Sequence, residues 1–385
     1  TRAGLITVAA PPVDLDVYYV DPAGSDANIG SDVAPFASIQ HAVDRALPGD
    51  TIMVRTGTYN EQVVMPRSGT ADAWITLQAE PGHAPVVDGA GISIPDYWEG
   101  VITANNVSYV RIAGLRVEHS AYTGIIANQS SFIEILDNHT YDTYLSGIGV
   151  WRSNNVVVDG NRVELAVNGG EQECITVSIS SNVEVTNNEI SHDGAGTAGG
   201  EGIDIKDGSS NVRVAGNYVH DLDELGIYVD SWDSDTSDIL IEDNIVHNCT
   251  NHGIAIAAER GGRVDRVTIR NNLLYRNGRM GITIADWDAG YPHPMDDILI
   301  VNNTSVENGL GTGWGAGIAV LNGEATGIVI RNNLVANNEY AQILDESGGA
   351  GISADHNLIW GDSGSGDDIT GTNPVLAEPG LMDAA

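Results

Sequence analysis

The residues of this chain best suited to chemistry are Asp204, Lys206, Tyr228, Asp230 and Glu259. Lys206 is the single lysine of the sequence, and it sits two positions after one aspartate and close to several other carboxylates. Two carboxyls held at a fixed separation are what glycosidic cleavage needs, one to protonate the leaving oxygen and the other to act as nucleophile or base. In that reading Asp230 is the nucleophile or base and Glu259 the general acid, with Asp204 beside them. Lys206 and Tyr228 then orient Asp230 or bind sugar hydroxyls. Trp151, Trp232 and Trp287 offer apolar faces to pyranose rings, and His252 and Arg260 add polar contacts to substrate. No cofactor is required. The same stretch also permits abstraction of the proton α to a uronate carboxyl, with Lys206 as base. Glu201, Asp223, Glu224 and Asp230 would then hold a Ca²⁺ that stabilises the enolate-like intermediate. A lysine crowded by carboxylates keeps its proton, so Lys206 suits the orienting role better.

Grouping these residues requires a fold that stacks them, and the sequence contains one. Asparagine returns nine times, from Asn138 through Asn161, Asn188, Asn217, Asn244, Asn272, Asn303 and Asn333 to Asn357, at steps of 23 to 31 residues. Most of these close a short alternating strand such as VEVTNN, VRVAGN or VTIRNN. A Gly-Ile strand precedes each one, at Gly147, Gly202, Gly226, Gly253, Gly281 and Gly317. Two to three strands per repeat imply an all-β architecture, a right-handed parallel β-helix in which each repeat is one coil. Ile and Val point inward, and the asparagine amides stack at a corner, where they satisfy the turning backbone.

Registering the coils on their Gly-Ile strands makes outward positions comparable. The third place then reads Ile126, Gly149, Thr176, Asp204, Tyr228, Ala255, Thr283. The fifth reads Asn128, Trp151, Ser178, Lys206, Asp230, Ala257, Ala285, with Glu259 two residues further on and Glu173, Glu201 and His252 just before their strands. Asp204 with Asp230, and Asp230 with Glu259, are diagonal neighbours roughly 5 to 9 Å apart, given about 4.8 Å between coils and about 6.6 Å per two-residue step. Charge and aromatics concentrate in these middle coils. Residues Asp286 to Asp288 and the AGYPHPMDD that follows form a longer insertion of the kind that builds a cleft wall.

Composition narrows the partners. A formal charge of −36 repels nucleic acid and anionic membranes, and it opposes a polyuronate unless a cation intervenes. Abundant Asp with scarce Lys also suits solubility in a salty medium. Cys174 and Cys249 lie nearly three coils apart, too far to bridge, and are expected as free buried thiols. No apolar run is long enough to span a membrane. Residues 1–17 read as an extended lead-in and residues 18–385 as a single solenoid domain. Pro35-Phe36 and the spacing of Ile39, Ala42, Val43 and Ala46 predict a short amphipathic helix capping the open end, with TIMVRTGTY supplying the first strand.

The segment from Tyr18 to Val63 resembles the amino-terminal block of secreted parallel β-helix carbohydrate enzymes, among them calcium-dependent pectate lyases and β-helix β-xylosidases. That resemblance implies a carbohydrate substrate and an extracellular location. EGIDIKDGSSNVRVAGNYVHDLDELGIYVDSW resembles the β-xylosidases more closely, and GIYVD places Asp230 on their nucleophile position. The next coil departs from them, because GIAIAAE has Ala257 at the glutamate's place and Glu259 two residues later. Against the pectate lyases, Tyr228 stands where a calcium-ligating aspartate belongs and Ala255 where the catalytic lysine belongs. Three classes stay open: a glycoside hydrolase, a Ca²⁺-dependent polysaccharide lyase, and a non-catalytic glycan-binding protein.

Overall fold

Each repeat supplies three short strands, and every strand pairs in parallel with its counterpart one coil away. The computed structural model describes residues 16–169, 172–191, 200–348, 351–361 and 369–381. Among these, three sheets run the length of a β-helix of about eleven turns, whose crossovers take the right-handed sense of parallel connections. The first sheet holds the eleven Gly-Ile type strands, from Val63–Val64 to Ala341–Asp345. The second holds thirteen, from Val17–Val20 to Ile352–Asp355, and the third twelve, from Gly57–Tyr59 to Leu358–Trp360.

The core follows from alternation. Ile203, Ile205, Ile227, Val229, Ile254 and Ile256 point inward from the first sheet and are fully buried, as are Val183, Val185, Val212 and Val214 from the second. The asparagine column is continuous: Asn188 donates from Nδ2 to Asn217 Oδ1 at 3.0 Å, Asn217 to Asn244 at 2.9 Å, and Asn244 to Asn272 at 2.9 Å. Each backbone N–H also bonds the next amide oxygen, and each Nδ2 reaches a carbonyl of the preceding coil, Val185 O in the case of Asn217. No polar group at this corner is left to water, as burial requires. Two further ladders escape the strand pattern. Asn277, Asn308, Asn338 and Gln342 line a second corner. At the third, backbone N–H groups bond successive hydroxyls of Ser153, Ser180 and Ser209.

The helix spans Ile39–Arg45 with Ile39, Ala42 and Val43 buried, and it packs on the first strands of the solenoid as a cap. One expectation needs correction: TIMV at Thr51–Val54 is not the first strand. Val17–Val20 precedes the helix and pairs with it residue for residue. The strand therefore begins inside the stretch read as lead-in, whose residues 1–15 lie outside the described ones. Cys174 and Cys249 are free and buried. Among the described residues no helix is long and apolar enough to cross a membrane.

Candidate functional site

The outward positions align as their spacing requires. Thr176 pairs with Asp204, Asp204 with Tyr228, Tyr228 with Ala255 and Ala255 with Thr283, while Ser178 pairs with Lys206 and Asp230 with Ala257. Asp204 and Lys206 lie on Ile203–Lys206, Tyr228 and Asp230 on Ile227–Ser231, and Glu259 directly after Ile254–Ala258. The small residues Ala255, Ala257, Thr283 and Ala285 leave room on one side of this patch, and Thr176 and Ser178 on the other. The patch is covered rather than solvated: Asp204 is 1 % exposed and Asp230 6 %. The insertion after Asp286 packs nearby, with buried His293 placing its Nδ1 2.5 Å from Ala258 O.

Burial sets the electrostatics. Lys206 Nζ lies 2.5 Å from Glu173 Oε1 and 3.4 Å from Asp204 Oδ2, and Thr176 donates to Glu173 Oε2 at 2.8 Å. Glu173, noted in the sequence only as the residue before a strand, is thus the partner that fixes the lysine. Burial pulls the Lys206 ammonium down, but Glu173, Asp204 and Asp230 together hold it well above the usual lysine range. The lysine's single charge is shared among too many carboxylates to ionise them all. Burial, followed by Asp230, keeps the Asp204 carboxyl well above the usual range against the pull of Lys206. Asp230 is likewise held high by burial, with Asp207, Glu259 and Glu173 adding to it and Lys206 opposing. One oxygen of each aspartate has no hydrogen-bond partner. Burial and Glu173 push Glu201 up to about 7. Tyr228, raised by burial and then by Asp230 and Glu259, stays a donor and gives its hydrogen bond to Glu259 Oε1.

Asp204, Lys206, Tyr228, Asp230 and Glu259 therefore come together, joined by Glu173 and by Asp207, which accepts the Trp232 N–H at 3.3 Å. Trp287 closes over them with its ring 5.5 Å from Tyr228. Other expected contacts differ. Trp151 is buried, edge-on to Trp98 at 5.0 Å, and lies three coils from Asp230, so it is no platform beside the carboxyls. Trp232 is exposed, but the Arg260 guanidinium covers its ring at 3.8 Å and is itself paired with Asp288. His252 is buried against Trp287 and accepts the Met280 N–H. Burial and Arg279 drop its pKa to about 3, which leaves a neutral packing residue. Glu201, Asp223 and Glu224 do not form the expected cation cage. Asp223 is exposed and Glu224 accepts from Asn251. Among the described residues the one triad with ligand atoms within 4.8 Å of one another is Asp88, Glu118 and His119, at the amino-terminal end.

Comparison with known proteins bears on the fold and on the class of chemistry. A Pel9A-like right-handed β-helix region model matches residues 18–164, and a right-handed β-helix region model matches residues 166–292 and 265–359. The uncharacterized protein YwoF of Bacillus subtilis is 27 % identical over 313 residues, covering 71 % of this chain and 65 % of its own length. Pectate lyase PEL9 of Emericella nidulans is 32 % identical over 162 residues, 38 % of this chain and 39 % of its own. The chain thus spans less than two thirds of the length of these curated relatives. The crystal structure of pectate lyase Pel9A superposes with a TM-score of 0.51 at 17 % identity, covering 88 % of this chain and 77 % of that one.

Proposed function

This chain belongs to the pectate-lyase-like superfamily of right-handed parallel β-helix proteins, and on that premise we propose that it is an extracellular glycoside hydrolase acting on a poly- or oligosaccharide laid along the first sheet. The observation that carries this reading is Asp230, a buried carboxyl with an unpartnered oxygen whose neighbouring lysine is already matched by Glu173. A carboxyl whose charged form burial disfavours is suited to the general-acid role. The roles expected from the local β-xylosidase resemblance are therefore exchanged. Asp230 protonates the glycosidic oxygen, and Glu259, beside it and oriented by Tyr228, attacks the anomeric carbon or activates water. Lys206 and Asp204 act on the charge of Asp230 from the neighbouring strand, and Trp287 supplies the apolar wall against a sugar face. Water returns the proton to Asp230 at the end of the cycle.

Kinship with a pectate lyase favours a second reading, β-elimination on a uronate polymer. Opposing it, Lys206 is held as an ammonium, bonded to Glu173 at 2.5 Å and with its folded pKa well above the usual lysine range, which makes a poor base. Digestion of a panel of neutral and uronate glycans separates the readings. Reducing ends without unsaturated products, lost in Asp230→Asn and unaffected by EDTA, support the hydrolase. Unsaturated products absorbing in the ultraviolet and abolished by EDTA overturn it.

A further inference from the structure

Phenylalanine occurs only twice in the chain. Phe36 lies in the core, whereas Phe132 stands 37 % exposed on the outer face of the second sheet. Its backbone is left-handed, φ 55°, as is that of Tyr109 at 59°. Asparagine tolerates that region and bulky residues rarely occupy it, at a cost of about 1–3 kcal/mol each. The next coils carry Asn155, Asn182 and Asn211 at the equivalent place, at φ 54° and flanked by paired residues in each register, and Asp238 and Arg266 follow at φ 59° and 52°. Left-handed residues recur along this chain, Leu165, Val167 and Ile179 among them, so what sets Tyr109 and Phe132 apart is that two successive coils place aromatic rings at this outward position.

They are also arranged. Tyr109 and Phe132 stack at 4.7 Å and 6° between planes, and Trp74 meets Tyr109 edge-on at 5.7 Å. From Phe132 a groove of about 560 Å³ runs along the solenoid axis over the three asparagines to Asp238. Asn155 donates to Asn154 at 2.6 Å and Asn182 accepts from Asn211. The Asn155 carbonyl and the Asn182 amide hydrogens have no protein partner among the described residues. The charges of the groove lie beside opposite ones within the protein: Glu134 by Arg111, Glu184 by Arg213 and Asp238 by Arg266, while Glu242, outside the groove, is bonded by Arg213 and Arg270. On a chain of −36 that is a locally neutral surface, unsuited to a charged ligand.

We propose that this groove is a second glycan-binding site, separate from the first-sheet carboxyls, for an uncharged oligosaccharide lying along the axis. One pyranose stacks on the free face of Phe132, and the following hydroxyls bond the asparagine amides. These recur about every 4.8 Å, close to the length of one pyranose unit in an extended chain. The proposal deepens the carbohydrate reading by naming a neutral ligand, but it does not depend on catalysis. The test is calorimetric titration of the Asp230→Asn protein with cellohexaose, xylohexaose and galactohexaose, with hexagalacturonate as the charged comparison. At least one neutral hexamer binds, and Phe132→Asn lowers its affinity tenfold or more, or reduces two sites to one. Phe132→Asn should melt no lower than its parent, because Asn suits φ 55°, so misfolding does not account for lost binding. Unchanged binding in Phe132→Asn, no binding of any neutral hexamer, or preference for hexagalacturonate at this groove overturns the proposal. Failure of the hydrolase reading appears instead as an absence of cleavage in the panel digestion.

Discussion

Replacing Asp230 by Asn should stabilise the protein at alkaline pH while abolishing turnover. Asp230 is 6 % exposed with one oxygen unpartnered, so its ionised form lacks the hydration and hydrogen bonds it has in the unfolded chain. Its folded pKa is raised, chiefly by burial, even with Lys206 beside it. Its contribution to stability is therefore fully present below the unfolded value of about 3.9 and is lost as pH rises through the folded value. Asn keeps the shape and never ionises. An unsatisfied buried polar group costs about 1–3 kcal/mol. With unfolding entropy of about 2.1 cal/mol/K per residue, a cooperative unit of this length moves by roughly 1.2 °C per kcal/mol. Asp230→Asn should thus melt roughly 1–4 °C above wild type at pH 8 and level with it near pH 4, read by calorimetry at both pH values. A variant that melts lower at pH 8, or a difference independent of pH, would mean that Lys206 compensates the ionised carboxylate in full. The assignment of Asp230 as acid would then fail.

The same protonation governs the rate. If Asp230 is the acid, kcat/KM on a cleaved glycan should fall as pH rises through the raised pKa of the buried carboxyl cluster, and a plateau reaching well past pH 9 would exclude the role. In the asparagine column, Asn217→Ala removes the acceptor of the Asn188 N–H and Nδ2 and the donor to Val185 O. At about 1–3 kcal/mol per buried orphan the loss should be roughly 2–5 kcal/mol, seen as a lower denaturation midpoint, whereas an effect under about 1 kcal/mol would show that water enters the corner. Cys174 and Cys249 should stay unreactive toward thiol reagents until the protein unfolds, because both are buried and burial pushes the Cys249 thiol up to about 12; labelling of the native protein at pH 8 would reveal local opening of the solenoid.

The sequence alone determined the architecture, because a solenoid is a local code repeated. Glycine at the head of one strand and asparagine at the foot of the next mark most coils. Once two coils are registered the rest follow, so Asp204, Tyr228 and Ala255 are neighbours by arithmetic and the structure pairs them in that order. Register along a sheet carries no information about depth. That Asp204 is 1 % and Asp230 6 % exposed is a matter of tertiary packing on that face, and loop paths are likewise fixed by tertiary contacts such as His293 Nδ1 to Ala258 O. The same uncertainty of depth made Trp151 and His252 read as substrate contacts when they are packing residues. Glu173 precedes its strand where alternation does not constrain the side chain, so its grip on Lys206 appeared only with coordinates. Of the calcium set, Asp223 and Glu224 were adjacent in sequence, but a turn aims successive side chains in different directions, so Asp223 is exposed while Glu224 accepts from Asn251. Which residues share a face was therefore written in the repeat, and which of them are shielded from water, and so which carboxyls burial holds above their usual range, was decided by tertiary packing.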